Sequence, residues 1–288
     1  MRWLAALQAL RSRGEPGVLV TVTAVRGHAP REAGAKMVVS AGLEWGTIGG
    51  GALEAVAMER ARALLARGAS EPESFTSALS EHVVSGHGVQ CCGGEVTVLL
   101  EPLAAPPCVV IFGIGHVGHE LARILARHDL DLHLVDTRPE RLAPERLEAL
   151  ADADARILLH VVPVLPEQVL VTLPAGAHVL IMTHDHAEDA AILDAALRTP
   201  GLATIGLIGS SAKWARLQRH LLDNGLSTAD LARVVTPIGL PALAGKDPAV
   251  IAVSVAADLV QRIQSANEGA TRTPAVPAPS ADDAGRGR

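Results

Sequence analysis

The amino-acid sequence predicts an α/β protein in which an N-terminal α+β domain precedes a Rossmann-like, doubly wound parallel sheet. Two observations support this prediction. In the second part of the chain, short aliphatic runs alternate with segments of helical periodicity, which is the pattern of parallel strands joined by crossover helices. Aromatic residues make up only 2% of the 288 residues and hydrophobic residues 49%, so small aliphatic side chains must fill the core.

The predicted first domain covers residues 1–104. An amphipathic helix in "RWLAALQALRSR" precedes the strand "GVLVTVTAVRG", and a turn containing Pro and Gly leads to a second strand in "AKMVVSAG". The glycines of "GTIGGG" open a helix that we expect to end near Arg67, with Gly68 as its stop. The polar segment "ASEPESFTSALSEHVVSGHG" predicts no clear element, and "EVTVLLEPL" is a further strand.

The predicted second domain covers residues 105–264 and begins within "AAPP", at Ala104–Pro107, which has the composition of a linker. Its strands are "CVVIFG", "LHLVD", "ARILLHVV", "AHVLIMT" and "LATIGLIG". Helices are expected between them at "HVGHELARILARHD", "AEDAAILDAALR" and "SAKWARLQRHLLDNG", with a last one at "DPAVIAVSVAADLVQRIQ". Residues 265–288 are rich in Ala, Pro, Thr and Ser, which predicts a disordered tail.

Charge and composition argue against several classes of protein. The net charge is −6 and no cluster of Lys and Arg is present, which argues against nucleic acid as the main partner. No apolar run approaches the roughly 20 residues of a membrane span, and the apolar spacing at the N-terminus is helical rather than that of a signal peptide. Three cysteines, two of them adjacent, do not form a disulfide framework, so we expect a cytoplasmic protein.

A glycine fingerprint lies between the first strand and first helix of the second domain. In "VVIFGIGHVGHELARIL", Gly113, Gly115 and Gly118 follow the G-x-G-x-x-G pattern, and Asp136 ends the next strand. The first glycine makes the turn, the second admits a phosphate, the third lets helix and strand pack closely, and Asp136 is a candidate acceptor for ribose hydroxyls. The alternative is a Rossmann fold that kept this turn but lost its nucleotide.

Eight motifs, in order over about Arg11–Ile263, resemble the family of xanthine dehydrogenase accessory proteins, XdhC. They are "GHAPREAGAKM", "GTIGGGALE", "CCGGEVTVLLEPL", "FGIGHVGHELA", "LVDTRPERL", "MTHDHAEDAAIL", "GLIGSSAKWARL" and "TPIGLPALAGKDPAVIAVSVAADL". The resemblance implies a chaperone rather than an enzyme, with no catalytic residues. Such proteins bind the molybdenum cofactor (molybdopterin), support its sulfuration with a cysteine desulfurase and insert it into apo-xanthine dehydrogenase, an enzyme of purine catabolism. Cofactor-synthesis proteins are further implied partners; a bound nucleotide and a homodimer stay open.

The paired thiols Cys91 and Cys92 are the candidate ligands of molybdenum. A thiolate is the softest protein ligand, and the two following glycines allow a bulky ligand to approach the backbone. If this pair is extended, its side chains point to opposite faces, so one thiol at most faces the cargo, and we favour Cys92. The alternative is that both are small buried hydrophobic residues, which is our interpretation of Cys108.

Two loops of the first domain are candidates for the same pocket. Gly49, Gly50 and Gly51 precede a helix and could form an anion nest. Arg31 and Lys36 could meet the phosphate of the cofactor, because Arg favours bidentate contacts with phosphate. The alternative is a solvated hairpin.

The carboxyl edge of the second domain's sheet supplies the last candidates. His184 in "THDH" follows a strand and could donate a hydrogen bond or carry a proton, whereas Asp185 could cap the next helix. Ser210 in "GSSAKWAR" marks either a second phosphate site or a capped helix. Three functions stay open: the chaperone, an NAD(P)-dependent oxidoreductase and a regulatory nucleotide sensor.

Overall fold

The structure, a computed structural model, describes residues 2–79, 94–243 and 245–271. The chain divides into two compact units. The first contains Met1–Gln8, Pro16–Ala104 and the chain from Gln264 onward, and the second contains Ala9–Glu15 and Ala105–Ile263. The division after Ala104 coincides with the linker expected from the sequence, whereas residues 9–15 group with the second unit although the sequence suggested the first.

The first unit is built on a five-stranded antiparallel sheet with the order β3-β2-β1-β5-β4. Its core lies between this sheet and helix α2, where alternate strand residues such as Val18, Val20 and Val98 pack against Leu53 and Ala57. The elements, with the helix that precedes the sheet, are α1 (Arg2–Arg13), β1 (Gly17–Arg26), β2 (Lys36–Val39), β3 (Glu44–Gly46), α2 (Gly51–Ala66), β4 (Glu73–Ala78) and β5 (Glu95–Leu103).

The second unit is built on a six-stranded parallel sheet with the order β11-β10-β9-β6-β7-β8. The strands are β6 (Cys108–Phe112), β7 (Asp131–Asp136), β8 (Arg156–Val161), β9 (His178–Ile181), β10 (Thr204–Leu207) and β11 (Val234–Val235). The order reverses between β6 and β9, and ligands of open α/β sheets bind in the crevice at such a switch point.

Helices cover both faces of this parallel sheet. Residues Val109 and Ile111 of β6 pack with α3 and α8, while Val110 and Phe112 pack with α5 and α6. The sheet is therefore doubly wound, as the sequence predicts. The helices are α3 (His116–Leu125), α4 (Pro144–Leu147), α5 (His186–Arg198), α6 (Ser211–Asp223), α7 (Thr228–Leu231) and α8 (Pro248–Thr271).

The sequence-based element assignment needs corrections at the weakest signals. Strands β3, β4 and β11 were not assigned, because each is short or polar and lies at or near a sheet edge, where pairing rather than hydrophobic pattern defines the strand. Helix α8 continues to Thr271, so the disordered tail predicted for residues 265–288 is wrong for its first seven residues. The remainder of that tail lies outside the described residues.

Helix α8 is also the most apolar long helix of the described chain. Its segment Pro248–Ala266 is long and apolar enough to cross a membrane by length and composition. Ala252, Val255, Ala256 and Leu259 are buried against the parallel sheet, whereas Val250 and Val253 are exposed, so core packing accounts for only part of this composition. The expected cytoplasmic location stays a prediction.

A polar layer lies on β7 and β8. The buried carboxylate of Asp131 pairs with Arg156 and Arg11 at 2.7 and 2.5 Å. Next to it, the rings of His133 and His160 stack at 5.0 Å, and their ring nitrogens are 3.0 Å apart. Burial and the neighbouring His160 lower the pKa of His133 to about 4, so this ring is neutral in the folded protein at pH 7.

Candidate functional site

The glycine turn after β6 has a different spatial constraint at each of its three glycines. Gly113 has a φ of 96°, and a Cβ built there would lie 2.5 Å from the carbonyl oxygen of Met182. A Cβ on Gly118 would lie 2.2 Å from the carbonyl oxygen of Gly113. At Gly115, however, a Cβ would meet no atom within 4 Å. The turn is thus tightly packed at its first and third glycines and open at the second.

The open glycine stands at the start of a helix. Gly115 is the N-cap of α3, with a φ of −74°, and accepts the backbone bond from His119 at 3.0 Å. The first backbone N–H groups of a helix have no partner within the helix and carry a partial positive charge. This position can therefore receive an anion such as a phosphate, provided that no side chain occupies it.

Asp136, the candidate ribose acceptor, is fully engaged within the protein. The residue is 2% exposed, and its Oδ2 accepts bonds from the N–H of Ile114 at 2.7 Å and from Arg138 Nη2 at 3.0 Å. Its Oδ1 accepts from the N–H and Nε of Arg138 at 3.0 and 2.9 Å. Burial alone would raise the pKa of Asp136, but these bonds hold it below its ordinary value. Asp136 therefore anchors the glycine turn, and its contact with a ribose stays a prediction.

The loop after β9 carries His184 and the N-cap of α5. Asp185 caps the helix by accepting a bond from the N–H of Ala187 at 2.6 Å, as the sequence suggested. His184 is exposed at the carboxyl edge of the sheet, the place expected for it. Its role as a hydrogen-bond donor or proton carrier stays a prediction.

A buried ion pair joins the loops after β9 and β10, and sequence reasoning missed it. Asp189 is completely buried and accepts bonds from the N–H and Oγ1 of Thr183 at 3.2 and 2.8 Å. Its other oxygen contacts the ammonium group of Lys213, which also donates to the carbonyl of Ile208 at 3.0 Å. A carboxylate in the first turn of a helix is common, so spacing alone gave no signal that this one is buried.

Ser210 caps α6, because its hydroxyl accepts a bond from the N–H of Lys213 at 3.2 Å. Ser210 therefore caps the helix, which is one of the two roles that the sequence suggested. Its contact with a phosphate stays a prediction. Ser210 also lines a concavity of about 560 Å³ between the loops that follow β10 and β11. Its wall is largely apolar and includes Ile208, Ile238, Leu240 and Ile251.

Glu188 is a second carboxyl group that sequence reasoning missed. It lies in the first turn of α5, is partly buried, and accepts a long bond of 3.4 Å from Thr137 Oγ1. Burial raises its pKa, and the negative charges of Asp136 and Asp189 act in the same direction, whereas His184 and the Thr137 bond oppose them. His184 and Asp189 are close to Glu188 in sequence, whereas only the fold brings Asp136 and Thr137 to it.

The predicted anion nest of the first unit holds a carboxylate of the protein itself. Gly49, Gly50 and Gly51 have φ values of 134°, 75° and 64°, which favour glycine. Within this loop, Glu54 Oε2 accepts bonds from the N–H groups of Ile48 and Gly50, both at 3.1 Å, and from Thr47 Oγ1. A ligand phosphate would have to displace Glu54, so binding of the cofactor at these three glycines stays a prediction.

Arg31 precedes β2 and Lys36 is the first residue of that strand, and their joint contact with a phosphate stays a prediction. Arg31 is exposed in the loop between β1 and β2. The ammonium group of Lys36 donates to Thr21 Oγ1 at 2.8 Å and lies 5.7 Å from the ring centroid of Trp3, within the first unit.

Cys91 and Cys92 lie outside the described residues. Cys108 is buried in β6, as expected, and burial raises the pKa of its thiol to about 12.

The parallel sheet with its glycine turn defines the second unit as a Rossmann-type domain. Comparison with known families is more specific, since a sequence model of the XdhC Rossmann domain matches residues 109–259 and one of the XdhC and CoxI family matches residues 10–76. The chain belongs to the XdhC family.

Two known proteins illustrate the range of similarity. The uncharacterized protein YqeB of Escherichia coli (strain K12) is 27% identical over 268 residues, which are 93% of this chain and 47% of YqeB. The chain thus spans about half the length of this curated relative. A crystal structure described as a xanthine dehydrogenase from Bacillus halodurans is 22% identical, with a TM-score of 0.45, and the match covers 92% of this chain and 96% of that one.

Proposed function

We propose that this protein is a chaperone of the molybdenum cofactor, which it binds, protects during sulfuration and delivers to apo-xanthine dehydrogenase. Membership of the XdhC family supports an accessory role related to xanthine dehydrogenase. The cofactor is cargo in this proposal: molybdenum held by the dithiolene group of a pterin that ends in a phosphate. No step of catalysis by the protein itself is required.

The observation that carries the proposal is the open position at Gly115. Gly113 and Gly118 each leave no room for a Cβ, whereas Gly115 faces empty space at the N-terminus of α3. The terminal phosphate of the cofactor matches this position in charge and in its need for backbone N–H donors. A terminal phosphate would fix one end of the cargo and leave the metal end for contacts elsewhere.

The metal end requires a soft ligand that can also release it. Cys92, or else Cys91, supplies this ligand in the proposal, because a thiolate binds soft metals well and glycines follow the pair in the sequence, which allows a bulky ligand to approach the backbone. Sulfuration then requires a cysteine desulfurase, and delivery requires contact with the dehydrogenase. A pull-down with cofactor-loaded protein should recover both partners, and recovery of neither would count against delivery.

An NAD(P)-dependent oxidoreductase is the second candidate, and the strand order of the parallel sheet favours it. Asp136 argues against it. NAD-binding Rossmann domains present an acidic residue to the ribose hydroxyls, whereas both oxygens of Asp136 already accept bonds from Ile114 and Arg138. Micromolar binding of NAD⁺ or NADP⁺ by calorimetry would restore this candidate.

Substitution of Gly115 tests the phosphate position. Gly115→Val introduces a side chain into open space at an allowed φ, so the fold should survive while the phosphate is excluded. Gly42→Val is a matched control, because a Cβ built on Gly42 also meets no atom within 4 Å and this residue lies in the first unit. Both proteins are purified from a cofactor-competent host, and molybdenum per protein is measured. We expect a loss of at least tenfold for Gly115→Val alone; equal contents would refute the phosphate position.

A further inference from the structure

Three carboxyl groups converge at the switch point of the parallel sheet, and two of them are held by other groups of the protein. Asp136 is bonded to Ile114 and Arg138. Asp189 is bonded to Thr183 and paired with Lys213. Both carboxylates are buried, at 2% and 0% exposure, and each holds together loops that form the edge of the sheet.

Within the part of the chain that the structure describes, the third carboxyl group, Glu188, keeps most of its capacity to accept hydrogen bonds. Its contact with Thr137 Oγ1, at 3.4 Å, is well beyond the usual 2.7–2.8 Å of an O–H···O bond. A carboxylate has two oxygens and about four acceptor positions. The negative charges of Asp136 and Asp189 lie near Glu188. The guanidinium of Arg138 is also near: its pKa is raised mainly by the bond to Asp136, and the charge of Glu188 adds a small part.

Glu188 is also close to the glycine turn. The turn after β6 packs directly on the loop after β9, since a Cβ on Gly113 would lie 2.5 Å from the carbonyl of Met182 and 2.7 Å from the Cα of Thr183. Glu188 is the third residue of the helix that follows this loop. Thr137, which contacts Glu188, directly follows Asp136, and Asp136 in turn bonds the turn at Ile114.

We infer that Glu188 is the specificity-determining carboxylate of the ligand held at the glycine turn, and that it accepts two adjacent N–H donors from a 2-aminopyrimidinone ring such as a pterin. A partly desolvated carboxylate favours hydrogen-bond donors over acceptors. The ring N–H and the 2-amino group form a planar pair that matches its two oxygens. This inference rests on the proposed function and identifies Glu188 as the group that recognises the pterin ring.

The two hydroxyl groups of a nucleotide ribose could also donate to this carboxylate. Three small molecules distinguish binding of the ring from binding of the ribose. Guanosine and inosine monophosphate share ribose and phosphate and differ only by the 2-amino group, whereas 6-hydroxymethylpterin carries the donor pair without ribose. Dissociation constants are measured by calorimetry at pH 7 for the full chain. We expect the protein to bind the pterin and to prefer guanosine over inosine monophosphate at least tenfold, because a bond to a charged acceptor is lost with the 2-amino group.

The variant Glu188→Gln retains the shape but replaces one acceptor oxygen by a donor NH₂. We expect it to lose at least tenfold in affinity for the pterin and for guanosine monophosphate, and to lose less for inosine monophosphate, whose single ring N–H the amide oxygen of Gln can still accept. Glu188→Asp, which keeps the carboxylate, should keep the preference for guanosine over inosine monophosphate. Glu148→Gln, an exposed substitution in the same unit, is the control and should behave as the wild type.

Several outcomes would overturn this inference. If guanosine, inosine and adenosine monophosphates bind equally and all weaken in Glu188→Gln, the carboxylate reads the ribose instead. If Glu188→Gln keeps the wild-type affinities, or if the wild type binds none of the probes, Glu188 does not read the ring. A wild-type protein that carries molybdenum and pterin after purification would show that the proposed function stands even when this inference fails.

Discussion

The glycine loop at residues 49–51 depends on Glu54, and removal of this side chain should destabilise the first unit. A single oxygen, Oε2, accepts bonds from Thr47 Oγ1 and from the N–H groups of Ile48 and Gly50. Ile48 is 1% exposed, so water cannot easily replace the lost acceptor there. In Glu54→Ala, these three hydrogen bonds are lost at once.

The size of the effect follows from these three bonds. A hydrogen bond to a charged group contributes about 1.5–3 kcal/mol, and because Glu54 is only partly buried, water should compensate part of the sum. We expect Glu54→Ala to lower the free energy of unfolding by about 3 kcal/mol. In Glu54→Gln an amide oxygen can still accept the bonds without the charge, so the loss should be about 1 kcal/mol.

Urea unfolding of the full chain, followed by circular dichroism, measures these losses. The exposed Glu71→Ala, in the same unit, is the control and should change the unfolding free energy by less than about 0.5 kcal/mol. The reasoning is wrong if Glu54→Ala is as stable as this control. It is also wrong if Glu54→Gln lowers the free energy of unfolding as much as Glu54→Ala does, because the three bonds to Oε2 would then not hold the loop.

Three further predictions concern the second unit and the thiols. Gly118→Ala, whose Cβ would lie 2.2 Å from a backbone oxygen, should cost about 3 kcal/mol in urea unfolding, whereas Gly115→Ala should cost less than about 1 kcal/mol. His133 has a folded pKa of about 4, below its unfolded value of about 6.5, so the protein should lose about 3 kcal/mol as the pH falls between these values; His133→Gln should flatten this dependence, and an unchanged slope would contradict the assignment. Cys92→Ala should lose most bound molybdenum, and Cys91→Ala mainly about 1 kcal/mol of stability; wild-type molybdenum in both would mean that the thiols only pack.

The sequence predicts most of the fold because the fold rests on local patterns. The buried strand β6 and the helix α3 follow from an aliphatic run, three glycines and helical periodicity within about twenty residues. The strands β3, β4 and β11 could not be assigned, since they are short or polar and are defined by hydrogen bonds to a neighbouring strand rather than by a hydrophobic pattern. The helical extension to Thr271 was missed because composition alone suggested a tail.

The candidate site was predictable only where a single segment forms it. The spacing of Gly113, Gly115 and Gly118 indicated which glycine stays open, and the structure agrees. Asp136 and Arg138 are only two residues apart, but spacing alone gave no signal of their pairing. The pairing of Asp189 with Lys213 and the contact of Glu188 with Thr137 were not predictable, because these partners come from separate crossovers. Glu54 did leave a signal, as an acid three residues after a run of glycines, but its partner is the loop rather than the helix.

Transfer of the cargo is the most direct test of the central claim. The protein is purified from a cofactor-competent host, its molybdenum and pterin are measured, and it is mixed with apo-xanthine dehydrogenase, a cysteine desulfurase and cysteine in the presence of a chelator that removes free molybdenum. The proposed function predicts that xanthine oxidation appears in proportion to the loaded protein added, and that Gly115→Val protein supplies at most a tenth as much. No activation by a protein shown to carry the cofactor, or equal activation by the same amount of free cofactor, would contradict it.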